Sequence, residues 1–150
     1  MTVRVERTVE LPAEPERVWE FLIDPAKRAG AISVVSEFEL RDDEGRKATW
    51  YLDLPIPMLR KAFSIETEDV TREEPEYVKF TGRSRVMNVI GEHELEETDT
   101  GTRLTNRFTV EGRLPGVESF FERNLDEELE NLRRAIEADL GIDIDERGGE

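Results

Sequence analysis

Between residues 34 and 109 apolar side chains recur mainly with period two, and from Val117 to Leu140 the period becomes that of a helix. That switch constrains the fold more than any other feature. Half-buried antiparallel strands alternate apolar with polar side chains, and the sheet they form has an apolar face that another element must cover. The runs predicted as strands are residues 34–40, 47–54, 59–70, 77–82, 86–96 and 102–111. Trp50, Phe63, Phe80, Met87, His93, Asn106 and Phe108 fall on their inward faces. Val117, Phe121, Leu125, Leu129, Leu132 and Ile136 form one helical stripe with Glu128 beside it, and Gly141 suits its stop. A helix of about 25 residues, rising about 1.5 Å per residue, crosses most of a curved sheet.

The start of the chain adds three elements. Residues 2–11 alternate, with Val3, Val5, Val9 and Leu11 on one face and Arg7 breaking it, which reads as a strand at a sheet edge. Pro15 and Glu16 suit a first helical turn, and Val18, Phe21 and Leu22 give it an apolar stripe. Asp24-Pro25 stops that helix, and Asp24 caps a second short one over residues 25–31. Strand, two short helices, a block of antiparallel strands and one long helix make an α+β fold. Residues 1–141 read as one domain and 142–150 as a frayed acidic tail.

Charge excludes several functions. The chain has 36 Asp+Glu against 21 Lys+Arg, a formal net charge of -15. Non-specific nucleic-acid binding needs a cationic footprint, and docking to anionic lipid needs the same, so neither is expected. With no cysteine and one histidine, His93, the chain has no disulfide scaffold, thiolate zinc site, cysteine nucleophile or multi-histidine metal site. The phosphate-loop, dinucleotide-binding, zinc-protease and serine-hydrolase motifs are absent, so no metal and no cofactor is expected. No apolar run reaches the roughly 18–20 residues of a membrane span. The charged opening is unlike a signal peptide. No stable membrane insertion and a cytoplasmic location are the expectations. The basic residues are 17 Arg and 4 Lys. An acidic, lysine-poor surface suits a salt-rich cytoplasm that screens self-repulsion, so a halophilic source is expected.

Three segments carry a resemblance. Residues 18–25, Val-Trp-Glu-Phe-Leu-Ile-Asp-Pro, resemble a V-W-x-x-L-x-D-P helix ending; Gly101-Thr102-Arg103-Leu104-Thr105 resembles a G-G-T-R-hydrophobic-T hairpin, with Asp99-Thr100 where a glycine is common; residues 77–82 resemble a Y-x-h-x-G strand. In this order they are similar to the START-like superfamily, also called SRPBCC or Bet v 1-like, and within it to the polyketide cyclase/dehydrase and coenzyme Q-binding-like branch. The resemblance covers nearly the whole chain. It implies a helix-grip fold, a curved antiparallel sheet (β-α-α-β6-α) wrapped around the long C-terminal helix, with an apolar cavity between them. It does not imply one chemistry, because this fold carries unrelated activities. The metal ligands of the ring-hydroxylating oxygenase members are missing, and no acid–base pair can be placed in the cavity.

The wall that the resemblance implies contains Trp50, Phe63, Phe80, Met87 and Phe108 from the strands and Phe120, Phe121 and Asn124 from the first turns of the helix. Without the resemblance, aromatics on inward faces read as core residues. If Thr100-Gly101 is a two-residue hairpin loop, His93 faces Phe108 and lies diagonal to Asn106, so two polar groups point toward the cavity. His93 then reads either as a ligand contact or as a histidine near the sheet end, half solvated or bonded to a backbone carbonyl. Residues 54–59 form an apolar, proline-stiffened link that reads as a lid, as a contact for a membrane or a protein partner, or as a segment folded onto the helix. Arg83-Ser84-Arg85 reads as a basic spot for an anionic head group or, more commonly, as a pair of arginines neutralised by surface glutamates. The run Asp126-Glu127-Glu128 with Glu130 reads as a solvated helix face. The functional expectation is binding of a small hydrophobic or amphipathic molecule, such as a lipid, quinone or polycyclic aromatic. A cyclase/dehydratase acting on a polyketide-like substrate, with His93 as base, and a filled-core protein that binds a macromolecule are the alternatives.

Overall fold

The computed structural model describes residues 2–56, 59 and 61–141. The tail read at 142–150 lies outside the described residues, as do Pro57, Met58 and Arg60. The elements in chain order are β1 (Thr2–Leu11), α1 (Pro15–Leu22), α2 (Pro25–Gly30), β2 (Val35–Leu40), β3 (Lys47–Leu52), β4 (Phe63–Glu73), β5 (Tyr77–Arg83), β6 (Met87–Thr98), β7 (Gly101–Gly112) and α3 (Val117–Asp139). The strands form one seven-stranded antiparallel sheet in the order β1-β7-β6-β5-β4-β3-β2. This is the helix-grip arrangement expected from the sequence.

Local chemistry explains the elements. Asp24 caps α2 as expected, its carboxylate accepting from Ala26 N at 2.9 Å and Lys27 N at 3.2 Å. Along α3 the stripe Val117, Phe121, Leu125, Leu129, Leu132 and Ile136 is buried. β1 is an edge strand, and Arg7 on it stays half exposed and pairs with Asp126 of α3 at 2.5 Å. Other arginines lie across carboxylates of neighbouring strands: half-buried Arg107 bridges Glu6 and Glu94, and exposed Arg103 meets Glu10. Each such pair contributes at most about 1 kcal/mol and is screened by salt.

Two expectations are corrected. The β6–β7 loop is Asp99-Thr100, with Thr98 opposite Gly101, so His93 lies directly opposite Asn106 and not opposite Phe108. The reason is Gly101. Its backbone (φ 154°) runs so close to the end of β1 that a Cβ there would sit 2.0 Å from the Leu11 carbonyl oxygen. The glycine serves that close approach and not the turn. The shift is two residues, so every side chain keeps its face. The second correction concerns the strand predicted over residues 59–70, which runs instead from Phe63 to Glu73. β4 continues through Glu73, and its pairing with β5 shifts register between Asp69 and Thr71. The extra residue, Val70, is pushed out to 47% exposure, while Asp69 stays on the inner face.

Candidate functional site

Between the sheet and α3 lies a cavity of about 50 Å³. Trp50 of β3, Phe80 of β5, Met87 of β6 and Phe108 of β7 form its sheet wall, with Ile65 and Val110 beside them. Phe121, Leu125, Leu129 and Leu132 close it from α3. Ile32, Val34 and Val35, at the connection into β2, close the side. Period-two alternation puts the sheet residues inward, and the helical stripe aims the leucines at them.

Glu128 is the one ionisable side chain among the described residues of this wall, and its residue is only 7% exposed. Its carboxylate accepts from Ser33 N at 2.9 Å and from the Ser33 hydroxyl, and Asn131 Nδ2 adds a bond of 3.3 Å. The expectation of a solvated acidic face therefore fails at this position. Glu128 follows Leu125 by three residues and precedes Leu132 by four, which places it on the buried stripe. Asp126 and Glu127 are exposed, and Glu130 pairs with Arg133.

Phe80 connects the cavity to a buried polar chain. Its ring covers Gly91, where a Cβ would come within 2.1 Å of Phe80 Cε1. That space lets Phe80 meet Trp50, Phe108 and His93 at centroid separations of 6.0, 5.9 and 6.2 Å. The Arg28 guanidinium from α2 lies 5.0 Å from the Phe80 ring centre, a cation–π contact. Arg28 donates to Asp69 at 2.7 Å, and Asp69 also accepts from Arg72 at 2.8 and 3.0 Å. Burial pulls the Arg28 guanidinium below its ordinary pKa, with Asp69 opposing that shift. Arg28 Nε and Nη1, His93 Nε2 and Trp50 Nε1 are buried without a hydrogen-bond partner among the described residues.

His93 is fully buried, and its Nδ1 meets Asn106 Oδ1 at 2.7 Å. It is neither half solvated nor bonded to a backbone carbonyl. With the Asn106 oxygen as acceptor, Nδ1 carries the proton. Burial holds the imidazole down at about 4, the Asn106 bond opposing and the Arg28 charge adding to the effect. The unfolded chain binds a proton near the ordinary 6.5 while the folded chain does not, so stability is whole above that pH and falls as pH drops toward about 4. From pH 7 to pH 5 the loss is about 2 kcal/mol. Urea unfolding of His93→Gln over this range is expected to show a pH-dependent loss smaller than that of the parent by this amount. Equal losses would contradict the neutral, buried assignment.

A family model described as polyketide cyclase / dehydrase and lipid transport matches residues 2–137. The chain belongs to this family. A search of curated proteins gave no significant match. Among solved structures, a conserved protein from Geobacillus kaustophilus is 18% identical with a TM-score of 0.73, over 93% of this chain and 95% of that one. A START superfamily protein from Mycobacterium smegmatis is 16% identical with a TM-score of 0.70, over 90% and 94%. The Zhui aromatase/cyclase from Streptomyces sp. R1128 is 17% identical with a TM-score of 0.67, over 91% and 95%. At these identities the likeness is one of fold, the Bet v 1/START helix-grip fold.

In this member of the polyketide cyclase/dehydrase and lipid transport family, five of the residues proposed from the sequence line the cavity: Trp50, Phe80, Met87, Phe108 and Phe121. The others sit elsewhere. His93 and Asn106 pair in the core, with Phe80 and Phe108 packed against the His93 ring. Phe63 is half-buried at the rim of the core. Phe120 packs edge-on against Phe121 at 5.1 Å, and Asn124 turns back to donate to the Phe120 carbonyl at 2.7 Å. Of the described residues of the segment 54–59, Leu54 and Ile56 are buried, Leu59 packs against the core and Pro55 is exposed. Arg83 and Arg85 are exposed and enter no ion pair among the described residues, contrary to the pairing expected. Ser84 organises that turn, its hydroxyl accepting from Val86 N and Met87 N. Sequence reasoning missed Arg28, Ser33, Asp69 and Glu128. Asp69 had a signal, because it continues the inward series of Phe63, Ile65 and Thr67.

No group of three or more metal-ligating side chains occurs among the described residues. None of the described helices is long and apolar enough to cross a membrane.

Proposed function

We propose that this chain binds a small hydrophobic or amphipathic molecule between the concave face of the sheet and α3. The observation that carries the reading is the cavity itself: apart from Glu128, every described side chain lining it is apolar. Moving a ligand from water into such a wall gains about 25 cal/mol per Å² of apolar surface buried. Family membership supports the reading, since the family's description includes lipid transport. The volume sets the mode of binding. A dry cavity of about 150 Å³ is needed to hold benzene, and this one has about 50 Å³. A ligand therefore enters by displacing side chains or by moving α3 relative to the sheet.

That same small volume favours, as second reading, a filled-core protein acting through its surface. Titration with the fluorescent apolar probe N-phenyl-1-naphthylamine separates the two. Binding that saturates at one probe per chain is expected; the absence of saturable binding would favour the filled core. The cyclase/dehydratase reading draws on the aromatase/cyclase neighbour. It lacks a matching observation here, because His93 is outside the cavity wall and its imidazole is held far below neutral pH.

The acidic surface supports a second proposal, that the protein works in a salt-rich cytoplasm. A net charge of -15 opposes the compact state by self-repulsion, and mobile ions relieve it. The melting temperature is expected to rise by several degrees between about 0.1 M and about 2 M KCl. A flat or falling curve would contradict it.

A further inference from the structure

We infer that the end of the fold nearest the cavity is a peripheral docking surface for an anionic lipid bilayer, on which Arg83, Arg85, Arg113 and Lys61 meet the lipid phosphates.

The cavity lies toward one end of the sheet. Its wall includes Leu52, the last residue of β3, Met87, the first of β6, and Val110 near the end of β7. The links that close this end are 31–34, 53–62, 84–86 and 113–116. They meet one another. Asp53 N donates to the Val34 carbonyl at 2.9 Å, and Arg113 N donates to the Val86 carbonyl at 2.8 Å. A Cβ at Gly116 would lie 3.0 Å from Ile56 Cγ2, so the third and last contact joins 113–116 to 53–62. Four links thus form one surface. Within it the Ser84 hydroxyl donates to the Met87 carbonyl at 2.8 Å and accepts from Val86 N and Met87 N. That turn holds Arg83 and Arg85 on either side of Ser84, both exposed.

Charge is divided between the two ends. The described residues of these links carry Lys61, Arg85 and Arg113 against Asp53, and Arg83 stands at the end of β5. On the elements beside them Glu111, Glu118 and Glu122 face Arg4 and Arg123, which leaves the end basic. The links at the opposite end, 12–14, 41–46, 74–76 and 99–100, carry seven acids against Arg41 and Arg46. The formal charge of -15 is therefore unevenly spread, and the cavity end departs from it in sign. At about 0.15 M salt, charges more than about 8 Å apart are largely screened, so the surface that faces the lipid decides. In molar salt the range shrinks to about 3 Å. Direct contacts survive that, and a guanidinium, unlike an ammonium, grips phosphate through two parallel hydrogen bonds.

The surface fits lipid better than an acidic protein. Pro55 and Pro115 are exposed among its cations, and Leu59 and Leu114 are half-buried beside them. Mixed basic and apolar groups suit the headgroup zone of a bilayer. The cavity behind this surface takes, on the proposed binding function, a ligand that partitions into lipid, and the choice of lipid rests on that function.

The test is flotation of the full chain with vesicles of phosphatidylcholine alone and of phosphatidylcholine mixed with phosphatidylglycerol, in physiological salt. Binding to the mixed vesicles only is expected. Arg83→Gln combined with Arg85→Gln is expected to weaken it about tenfold or more. Arg103→Gln combined with Arg107→Gln makes the same change in net charge on the outer face of the sheet and is expected to leave it unchanged. No binding to mixed vesicles, equal binding to both kinds, or equal weakening by the two double variants would overturn the docking surface. Capture by immobilised polyglutamate without vesicle binding would assign the surface to an acidic protein and overturn it too. The parent's choice between vesicles decides the matter even if a variant fails to fold. Failure here with saturable binding of N-phenyl-1-naphthylamine leaves the cavity function standing; vesicle binding without probe binding leaves the docking surface and removes the cavity function.

Discussion

Asp69→Ala is expected to lower folding stability by about 3–5 kcal/mol, read as a large fall in the urea midpoint. Asp69 is the acceptor that holds Arg28 and Arg72, and the Asp69 and Arg28 side chains are 1% and 5% exposed. Without it the Arg28 guanidinium stays buried against Phe80 with no counter-charge. An unpaired buried charge costs more than the pair contributes, so the loss measures a stranded ion and not the strength of a bond. The double variant Arg28→Met, Asp69→Ala tests this cause. It removes the stranded charge and is expected to recover part of the loss, whereas independent effects would add. A fall below about 1 kcal/mol for Asp69→Ala would show that Arg28 finds water or another partner.

Trp50→Ala is expected to cost about 3–5 kcal/mol and to convert a nearly filled site into an open one. Trp50 is 4% exposed, stands opposite Phe38 and Ile65 on the neighbouring strands, and packs against Phe80. Losing the indole leaves a hole continuous with the existing cavity. Added indole is then expected to raise the melting temperature of the variant, by about 2.7 kcal/mol of stabilisation at about a hundred times its dissociation constant. The parent, with its smaller cavity, is expected to respond much less. No shift in the variant would mean that the surrounding side chains collapse into the space, and that the cavity is not a persistent feature of the fold.

The fold was legible because its signals are periodic and do not depend on exact pairing. His93 and Asn106 were placed on one face although the hairpin register was off by two residues, since an even slip preserves the face. The register itself was hidden, because it depends on Gly101 meeting the Leu11 carbonyl across the fold. The site was less legible. Arg28 sits in a helix of six residues, too short for a periodic pattern to show which side is buried. Its partner Asp69 was on a recognisable inward series, but nothing local marks an aspartate as buried until the cation opposite it is known. Glu128 lay on the apolar stripe, and the acids around it made the whole run look solvated. Whether aromatics fill a cavity or line one depends on how side chains interlock, and hydrophobic pattern does not encode that.

Methyl-resolved NMR during titration with 2-naphthol tests the central claim most directly. The account predicts saturable shift changes concentrated at Leu52, Ile65, Val110, Leu125, Leu129 and Leu132, the methyl groups that face the cavity from both layers. Shift changes that fail to saturate, or that gather on the exposed Leu40, Val70 and Ile90 while the cavity methyls stay still, would contradict it.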